Sequence, residues 1–205
     1  MVRYHASSRG SIPMILEGLL TIQTEDDGVH TAAMGPEVSD TRSINQLILK
    51  PFQSSRTSDL LSALPEGVFH LTDNVLLFAQ AVTGTLSHDL RIRPADTVRG
   101  WILEDVCEAF EFRIEKSDTS HDRSKLYATI QKAHSVRPFR GFNRASHAVI
   151  EAAILFSRIQ FLGGEHIQQH LELLRPLVTK TAGKQEQQAF ELIVNKTLNA
   201  SNAMS

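Results

Sequence analysis

Alternating apolar and polar positions near the start of the chain predict a β-hairpin. The alternation runs through MILEGLLTIQT (14–24) and VHTAAM (29–34), and EDDG lies between them. Asp-Gly favours the tight turn of a hairpin, and β-branched residues favour the strands on either side. Similar apolar runs, each bounded by turn residues, predict further strands over 45–52, 67–72, 101–116 and 125–136.

Short helices are predicted between these strands. SDLLSAL (58–64) has the apolar spacing of one or two helical turns, and VLLFAQAVTG (75–84) has that of a longer helix. Asp73 or Asn74 is expected to cap the longer helix, and Gly84 is expected to end it.

The pattern changes after residue 143, where helical periodicity replaces alternation. The spacing predicts one helix over 144–162 and a third over 184–200. Between them lies a second helix over 165–181, in which we expect a kink or a break at Pro176.

This change divides the chain into three parts. We expect a loose N-terminal extension over 1–13, a β-rich region over 14–136 and a helical region over 143–200. Many short strands with two hairpins are typical of a small antiparallel barrel. The predicted fold class is therefore α+β, with an antiparallel β-barrel followed by a C-terminal helical bundle.

Composition and charge restrict the compartment and the binding partners that we expect. The 205 residues are 41% apolar and 21% charged, and the net charge of −2 gives no electrostatic case for nucleic acid or a membrane surface. The single cysteine, Cys107, excludes an intramolecular disulfide and a zinc site built from cysteines. The apolar runs are shorter than the roughly 20 residues that span a bilayer. We therefore expect a cytoplasmic protein without a nucleic-acid or membrane partner.

The stretch KPFQSSRTSDLLSAL (50–64) has the chemistry of an anion site. A predicted strand ends at a serine-rich turn, and the turn opens into a predicted helix. The first turn of a helix has free N–H groups and a partial positive charge, which attract anions. Ser55 and Thr57 add hydroxyl donors, and Lys50 and Arg56 add cations. The alternative is that Ser54 or Ser55 only caps the helix, as serine often does.

Two other clusters leave alternatives open. His166 and His170 share one helix face, a spacing that suits a metal ion, an exposed polar surface or a contact between helices of a dimer, but the sequence identifies no third ligand. We therefore predict no metal site. VRPFRGFNR (136–144) interleaves arginine with phenylalanine, which suits a pinned linker or a contact with an anion.

The order of several motifs resembles a known family. The motifs are MILEGLLT, AAMGPEV, LILKPFQSSRTSDLL and EGVFHLTDNVLLFAQA in the β-rich region, and GFNRASHAVIEAAILFSR and LVTKTAGKQEQQAFELI in the helical region. Together they cover about residues 14–195 and resemble the family catalogued as domain of unknown function 447. That family belongs to the FMN-binding split-barrel superfamily of flavin-reductase-like proteins. The resemblance implies a split β-barrel over 14–136 and a C-terminal helical domain over 143–200.

The resemblance also implies where a flavin binds. Such barrels place the segment after the second strand beside the flavin ring, and they hold the phosphate at a strand end and the Ser/Thr turn that follows it. A third segment, after the next strand, often contacts the flavin or the partner subunit. The implied cofactor-binding residues are Met34, Gly35 and Pro36 at the ring, Lys50, Pro51, Phe52, Ser54, Ser55 and Thr57 at the phosphate, and Asp73 and Asn74 in the third segment.

The function that the resemblance implies is that of an FMN-dependent oxidoreductase, assembled as a homodimer. Deazaflavin is the alternative cofactor because related barrels bind it, and the family looks associated with methanopterin-type one-carbon metabolism. Two other functions stay open: a flavin-binding protein without turnover, and a cofactor-free dimeric interaction module whose serine-rich turn only caps a helix. No catalytic side chain is identified. Family members more often have arginine where this chain has Lys50, and lysine binds phosphate as a point charge, without the bidentate fork of arginine.

Overall fold

The computed structural model describes residues 13–40, 42–87 and 89–204. The predicted N-terminal extension, 1–13, lies outside these residues except for Pro13. In the described parts, the chain folds into one large antiparallel sheet, a small two-stranded sheet and a set of helices that follow them. This arrangement confirms the α+β fold class.

Eight strands form the large sheet within the described residues. They are β1 (Met14–Ile15), β2 (Gly18–Gln23), β3 (Val29–Met34), β4 (Glu37–Val38), β5 (Gln46–Leu49), β6 (Glu66–Leu71), β9 (Glu108–Asp118) and β10 (Lys125–Ser135). Their order in space is β1-β4-β5-β10-β9-β6-β2-β3, and every pairing is antiparallel. The strands β7 (Ile92–Pro94) and β8 (Trp101–Leu103) pair with each other in the small sheet.

Both predicted hairpins form. In the first, Gly18 pairs with Met34 at the open end of β2 and β3, and Asp27 takes a φ of 61° in the turn. Aspartate tolerates this left-handed conformation better than most residues, which explains why the turn forms here. The second hairpin, β9–β10, carries two register shifts, and such bulges bend a sheet and increase its twist.

Alternation along β2 separates two cores. Leu20 belongs to the core inside the barrel, together with Phe69 and Phe112. Its neighbour Leu19 points to the other face and joins the core that the helices cover. Successive side chains of a strand point to opposite faces, so the apolar pairs in β2 serve both cores at once.

Six helices lie in the described residues. They are α1 (Arg56–Ala63), α2 (Val75–Thr83), α3 (Arg144–Phe156), α4 (Ile159–Leu162), α5 (Gly164–Thr181) and α6 (Lys184–Met204). As predicted, Asn74 caps α2 and Gly84 ends it, with a left-handed φ of 67°. None of these helices combines the length and the hydropathy that a membrane-spanning helix requires.

One helix prediction is wrong, and of the kink or break expected at Pro176 the break is absent. The helix expected over 144–162 breaks after Phe156, where the Ser157 hydroxyl donates a hydrogen bond to the Ile154 carbonyl and competes with the helical pattern. In contrast, α5 continues through Pro176 without a break. Proline cannot bond the carbonyl four residues before it, but Pro176 is exposed, so water can satisfy that carbonyl.

The helices pack against the β-rich region and share a buried core with it. Helix α2, which the β-rich region contributes, packs against α3 and α6, and residues of β2 and α6 share one buried core. The change from strand to helix falls between Ser135 and Arg144, close to the expected division. That the two parts are separate domains stays a prediction.

Candidate functional site

A cavity of about 310 Å³ lies where the barrel meets the helical region. Ligand pockets in proteins measure about 300 to 1,000 Å³, so it is large enough for a small molecule. The segment before β2, the ends of β3 and β5, the turn before α1, helix α2 and the end of α3 form its walls. The lining residues are Ile15, Glu17, Ala33, Met34, Gly35, Lys50, Pro51, Phe52, Ser55, Thr57, Phe78, Val82, Arg123, Ala153, Ile154, Ser157 and Arg158.

Seven of the eleven residues predicted to bind a cofactor line this cavity. They are Met34, Gly35, Lys50, Pro51, Phe52, Ser55 and Thr57. The other four do not line it: Pro36 is buried, Ser54 is exposed on the turn, and Asp73 and Asn74 lie in the segment between β6 and α2. The fold therefore brings together the segments predicted for the ring and for the phosphate, and leaves the third segment outside the lining.

The serine-rich turn caps helix α1. Ser55 is the N-cap residue, and its Oγ accepts a hydrogen bond from the Ser58 amide at 3.2 Å and donates one to the Phe52 carbonyl at 2.7 Å. Among the described residues, the amides of Arg56 and Thr57 have no hydrogen-bond acceptor. They are the free donors expected at a helix start, and they lie beside the cavity. The turn thus serves as a cap and still offers donors to an anion.

Thr57 has a partner that the sequence did not reveal. Its hydroxyl lies 3.0 Å from His30 Nε2, and the residue is only 7% exposed. Burial lowers the pKa of His30, and the Arg56 guanidinium lowers it further, so the imidazole is neutral near pH 7. A neutral imidazole donates through one nitrogen and accepts through the other. If Nε2 carries the proton, His30 donates to Thr57 and leaves the threonine hydroxyl free to donate into the cavity.

Lys50 is paired within the protein. Its ammonium group forms a salt bridge with Glu37, which lies on the neighbouring strand β4. Both side chains are partly exposed, at 30% and 22%. An anion in the cavity would therefore share Lys50 with a carboxylate, which weakens the contribution of this cation.

Two arginines that line the cavity were not singled out from the sequence. Arg123 lies with its guanidinium carbon 4.0 Å from the centre of the Phe52 ring, next to the bridge that joins these two residues. Arg158 follows the break after α3. Neither position carries a local signal, because Arg123 lies in a polar turn and Arg158 lies within a predicted helix.

Glu17 is the carboxylate of the lining, and the sequence analysis missed it as well. A Cβ at Gly35 would lie 3.1 Å from both of its carboxylate oxygens. Partial burial raises the pKa of Glu17, the Glu151 carboxylate raises it further, and Arg158 opposes both. The side chain reaches solvent at the cavity opening, so its charge is screened in part.

One wall of the cavity is apolar. Phe78 and Val82 come from α2, and Ala153 and Ile154 come from α3. Ala33 of β3 completes this wall. Phe78 and Val82 are four residues apart, so helix periodicity places them on the same face of α2. A flat apolar ring fits such a surface better than a charged group does.

Asp73 and Asn74 form hydrogen bonds that stabilise the segment between β6 and α2. Asp73 accepts hydrogen bonds from the Arg137 guanidinium, 2.5 Å away, and from the Arg140 amide. Burial would raise the pKa of Asp73, but these two hydrogen bonds outweigh burial and keep the pKa below its ordinary value. The Asn74 carbonyl oxygen caps α2 by accepting from the Leu77 amide. Both side chains thus have structural partners.

A cluster of Asp96, Glu111 and His134 lies on the β9–β10 hairpin and the loop before β8. Their ligand atoms lie within 4.8 Å of one another, a spacing that suits a metal ion. However, the buried Glu111 carboxylate already accepts hydrogen bonds from the Asp96 amide, the Thr97 amide and hydroxyl, and His134. Its oxygens therefore have protein donors, and the cluster anchors the loop. The rings of His166 and His170 on α5 lie with their centres 4.4 Å apart and their planes inclined by 44°.

Comparison with solved structures finds the same fold. An FMN-bound DUF447 protein from Methanosarcina mazei is 17% identical, with 92% of this chain and 98% of that chain covered and a TM-score of 0.74. An FMN-binding protein from Thermus thermophilus is 14% identical, with 69% and 88% covered and a TM-score of 0.50. An NADH:FAD oxidoreductase from Streptomyces globisporus is 11% identical, with 66% and 86% covered and a TM-score of 0.50. These likenesses confirm the expected split-barrel fold.

Comparison of the sequence with protein families gives two matches. The N-terminal domain model of the DUF447 family of proteins of unknown function matches residues 16–137, and its C-terminal model matches residues 143–195. A comparison with curated proteins gives no match. The two family models together cover most of the chain, in the expected order, and confirm the resemblance seen in the motifs. The chain therefore belongs to the DUF447 family.

Proposed function

We propose that this chain is an FMN-binding flavoprotein whose cavity holds the isoalloxazine ring, with the phosphate at the start of α1. The observation that carries the proposal is the convergence of two predicted segments on one cavity. Met34 and Gly35, predicted for the ring, and Ser55 and Thr57, predicted for the phosphate, line the same space although more than one strand separates them in sequence. The FMN-bound DUF447 structure from Methanosarcina mazei supports the choice of cofactor.

The residues present fit this cofactor. The apolar wall formed by α2 and α3 suits a flat ring, and the free amides of Arg56 and Thr57 suit a phosphate. Arg123 lines the cavity near the same turn, with its guanidinium over the Phe52 ring. Gly35 has no side chain, so its backbone can lie close to Ile15 and Glu17 in the cavity wall, where a Cβ would collide with Ile15.

An oxidoreductase activity of the flavin-reductase type follows from the proposed cofactor. When bound, FMN supplies the hydride and electron transfer chemistry. The chain binds and orients the ring through the cavity walls and excludes water with Phe78 and Val82. Glu17, with its raised pKa, holds a proton closer to neutral pH than an ordinary glutamate does. The proposal includes a reduced nicotinamide or a methanopterin-type carrier as the second reactant, which rests on the family resemblance.

Two further parts of the proposal concern assembly and setting. We expect a homodimer from the resemblance to split-barrel flavoproteins, and a cytoplasmic location from the composition of the chain. Size-exclusion chromatography with light scattering tests the dimer directly.

The experiment that tests the proposed function is a visible absorbance spectrum of the purified protein, before and after loading with FMN and removal of the excess. Flavin bands that stay with the protein, and that bleach when NADH is added without oxygen, are the expected result. Retained bands that no reductant of the nicotinamide or pterin class bleaches would favour a flavin-binding protein without turnover. A colourless protein after loading would contradict the proposal and favour the interaction module.

A further inference from the structure

The break between α3 and α4 places polar and aromatic groups at the mouth of the cavity. Ser157 and Arg158, which form the break, line the cavity itself. One turn later, Phe161 stacks on Phe52, with ring centres 6.1 Å apart and planes inclined by 30°. A straight helix over 144–162 would continue along its axis instead of turning at this opening. The break therefore brings the helical region to the mouth.

Phe161 contributes little to the core of the protein. It is 76% exposed, and Phe52 is 37% exposed, although both rings are large and apolar. The two rings offer flat surface to solvent at one side of the mouth, and aromatic surfaces of this kind stack with planar rings such as nucleotide bases. Because these ring faces are not buried in the core, they are available to bind a ligand.

The mouth also carries two guanidinium groups without carboxylate partners. Lys50 is paired with Glu37, whereas Arg123 and Arg158 form no ion pair with any residue in the described ranges. Arg123 lies over the Phe52 ring, and Arg158 acts on the Glu17 carboxylate only at longer range. Guanidinium groups bind phosphate oxygens through paired hydrogen bonds, so an anionic ligand suits this position.

The cavity is too small to hold a second molecule together with FMN, so a second molecule has to bind at its mouth. A volume of about 310 Å³ is at the lower end of the range for ligand pockets, so a bound FMN would fill it. The larger part of any second reactant then has to lie outside the cavity, against Phe52, Phe161 and the two arginines.

We propose that this mouth, formed by Phe52, Arg123, Arg158 and Phe161, binds the adenosine diphosphate part of a nicotinamide dinucleotide. The adenine ring stacks on the phenylalanine pair, and the diphosphate accepts hydrogen bonds from the two arginines. This inference rests on the proposed function, because it names the second reactant of the same site. In this inference, the C-terminal helices take part in recognising that second reactant.

The test uses the protein loaded with FMN and two probes, ADP and adenosine, which share the base but differ in charge. Binding is measured by calorimetry, so it does not depend on turnover. We expect ADP to bind more tightly than adenosine without displacing FMN. The Arg158→Gln variant should weaken ADP about tenfold, the loss expected for a charge-assisted hydrogen bond, and leave adenosine almost unchanged. The Phe161→Ala variant should weaken both probes.

Matched controls lie at the opposite end of α3. Arg144→Gln removes an exposed arginine from the first turn of the same helix, and Phe142→Ala removes a phenylalanine that is 89% exposed just before it. Both positions lie outside the cavity lining and roughly 20 Å along the helix from its end. We expect neither control to change the affinity for ADP.

Several results would overturn the inference. One is an Arg158→Gln variant that binds ADP as the wild type does, or that loses ADP and adenosine equally. Another is displacement of FMN by ADP, which would place ADP in the cavity and not at its mouth. A Phe161→Ala variant that changes only the oligomeric state would assign the exposed rings to a second copy of the chain. FMN retention is measured first on every protein, so failure of the proposed function is seen separately and removes the basis of this inference.

Discussion

The ring of Phe52 stacks against the ring of Phe161, 6.1 Å away between centres. Phe52 lies directly before the serine-rich turn, and Phe161 belongs to α4 in the helical region. The turn predicted to hold a phosphate and the C-terminal helices therefore meet at one opening. The helical region contributes to the wall of the cavity as well as to the core beside the barrel.

The two roles of Ser55 can be separated by substitution. Asparagine and aspartate cap helices about as well as serine, so Ser55→Asn and Ser55→Asp should leave the free energy of unfolding within about 0.5 kcal/mol of the wild type. Aspartate places a negative charge beside the proposed phosphate, where it repels the ligand. We expect Ser55→Asp to weaken FMN at least tenfold relative to Ser55→Asn, measured by quenching of flavin fluorescence. Equal affinities in the two variants would argue that the turn is only a cap.

Asp73 should contribute to stability and not to flavin binding. The Asp73→Asn substitution removes the charge that pairs with Arg137, so we expect the free energy of unfolding in urea to fall by about 1 to 3 kcal/mol. The affinity for FMN should not change, because Asp73 does not line the cavity. Asp89→Asn, at an exposed position without an ion pair in the described parts of the chain, is the control. A loss of FMN affinity at unchanged stability would instead support the flavin contact that the resemblance implies.

The buried Glu111 carboxylate should stabilise the folded protein in a pH-dependent way. Burial would raise its pKa, but the hydrogen bonds from Thr97, Asp96 and His134 outweigh burial and lower it. Its contribution is therefore present above the ordinary pKa and is lost as the pH falls through the lowered folded value. We expect Glu111→Gln to cost about 3 kcal/mol at neutral pH and less in acid, measured by urea unfolding. A cost independent of pH would contradict this account.

Glu17 should show the opposite dependence on pH. Its pKa is raised in the folded protein, so its contribution is fully present below the ordinary pKa of 4.5 and is lost as the pH rises through the raised value. The Glu17→Gln variant lacks this loss. The free energy of unfolding of the variant minus that of the wild type should therefore increase from acid to neutral pH.

A second variant tests the cause of the Glu17 shift. Glu151→Gln removes the carboxylate that raises the pKa of Glu17, so Glu17→Gln made in that background should show a weaker dependence on pH. An unchanged dependence would mean that Glu151 does not act on Glu17, and that burial alone raises the pKa.

Local chemistry made much of the fold predictable, but not every local hydrogen bond could be foreseen from the apolar spacing. The first hairpin followed from its alternation and from Asp-Gly, and α2 followed from Asn74 and Gly84, because these signals act over a few residues. The break after Phe156 was missed because the apolar spacing continues through it, while a single hydrogen bond from Ser157 competes with the helix.

The candidate site divides in the same way. The serine-rich turn was recognisable because hydroxyl and basic side chains at a helix start have a chemistry of their own. Glu17, Arg123 and Arg158 were not, because each lies in an ordinary polar setting and reaches the cavity only through the fold. Asp73, a position implied by the family resemblance, is engaged here by Arg137, and its contact with a flavin stays a prediction.

The measurement that tests the central claim most directly compares FMN with riboflavin, which carries the same ring without the phosphate. Both flavins are titrated into the wild-type protein and followed by flavin fluorescence, with Ser55→Asp as the variant. We predict that FMN binds at least tenfold more tightly than riboflavin, as expected when charge-assisted hydrogen bonds to a phosphate are lost, and that Ser55→Asp removes this difference. Equal affinity for the two flavins, or no binding of either, would contradict the assignment of the serine-rich turn as a phosphate site.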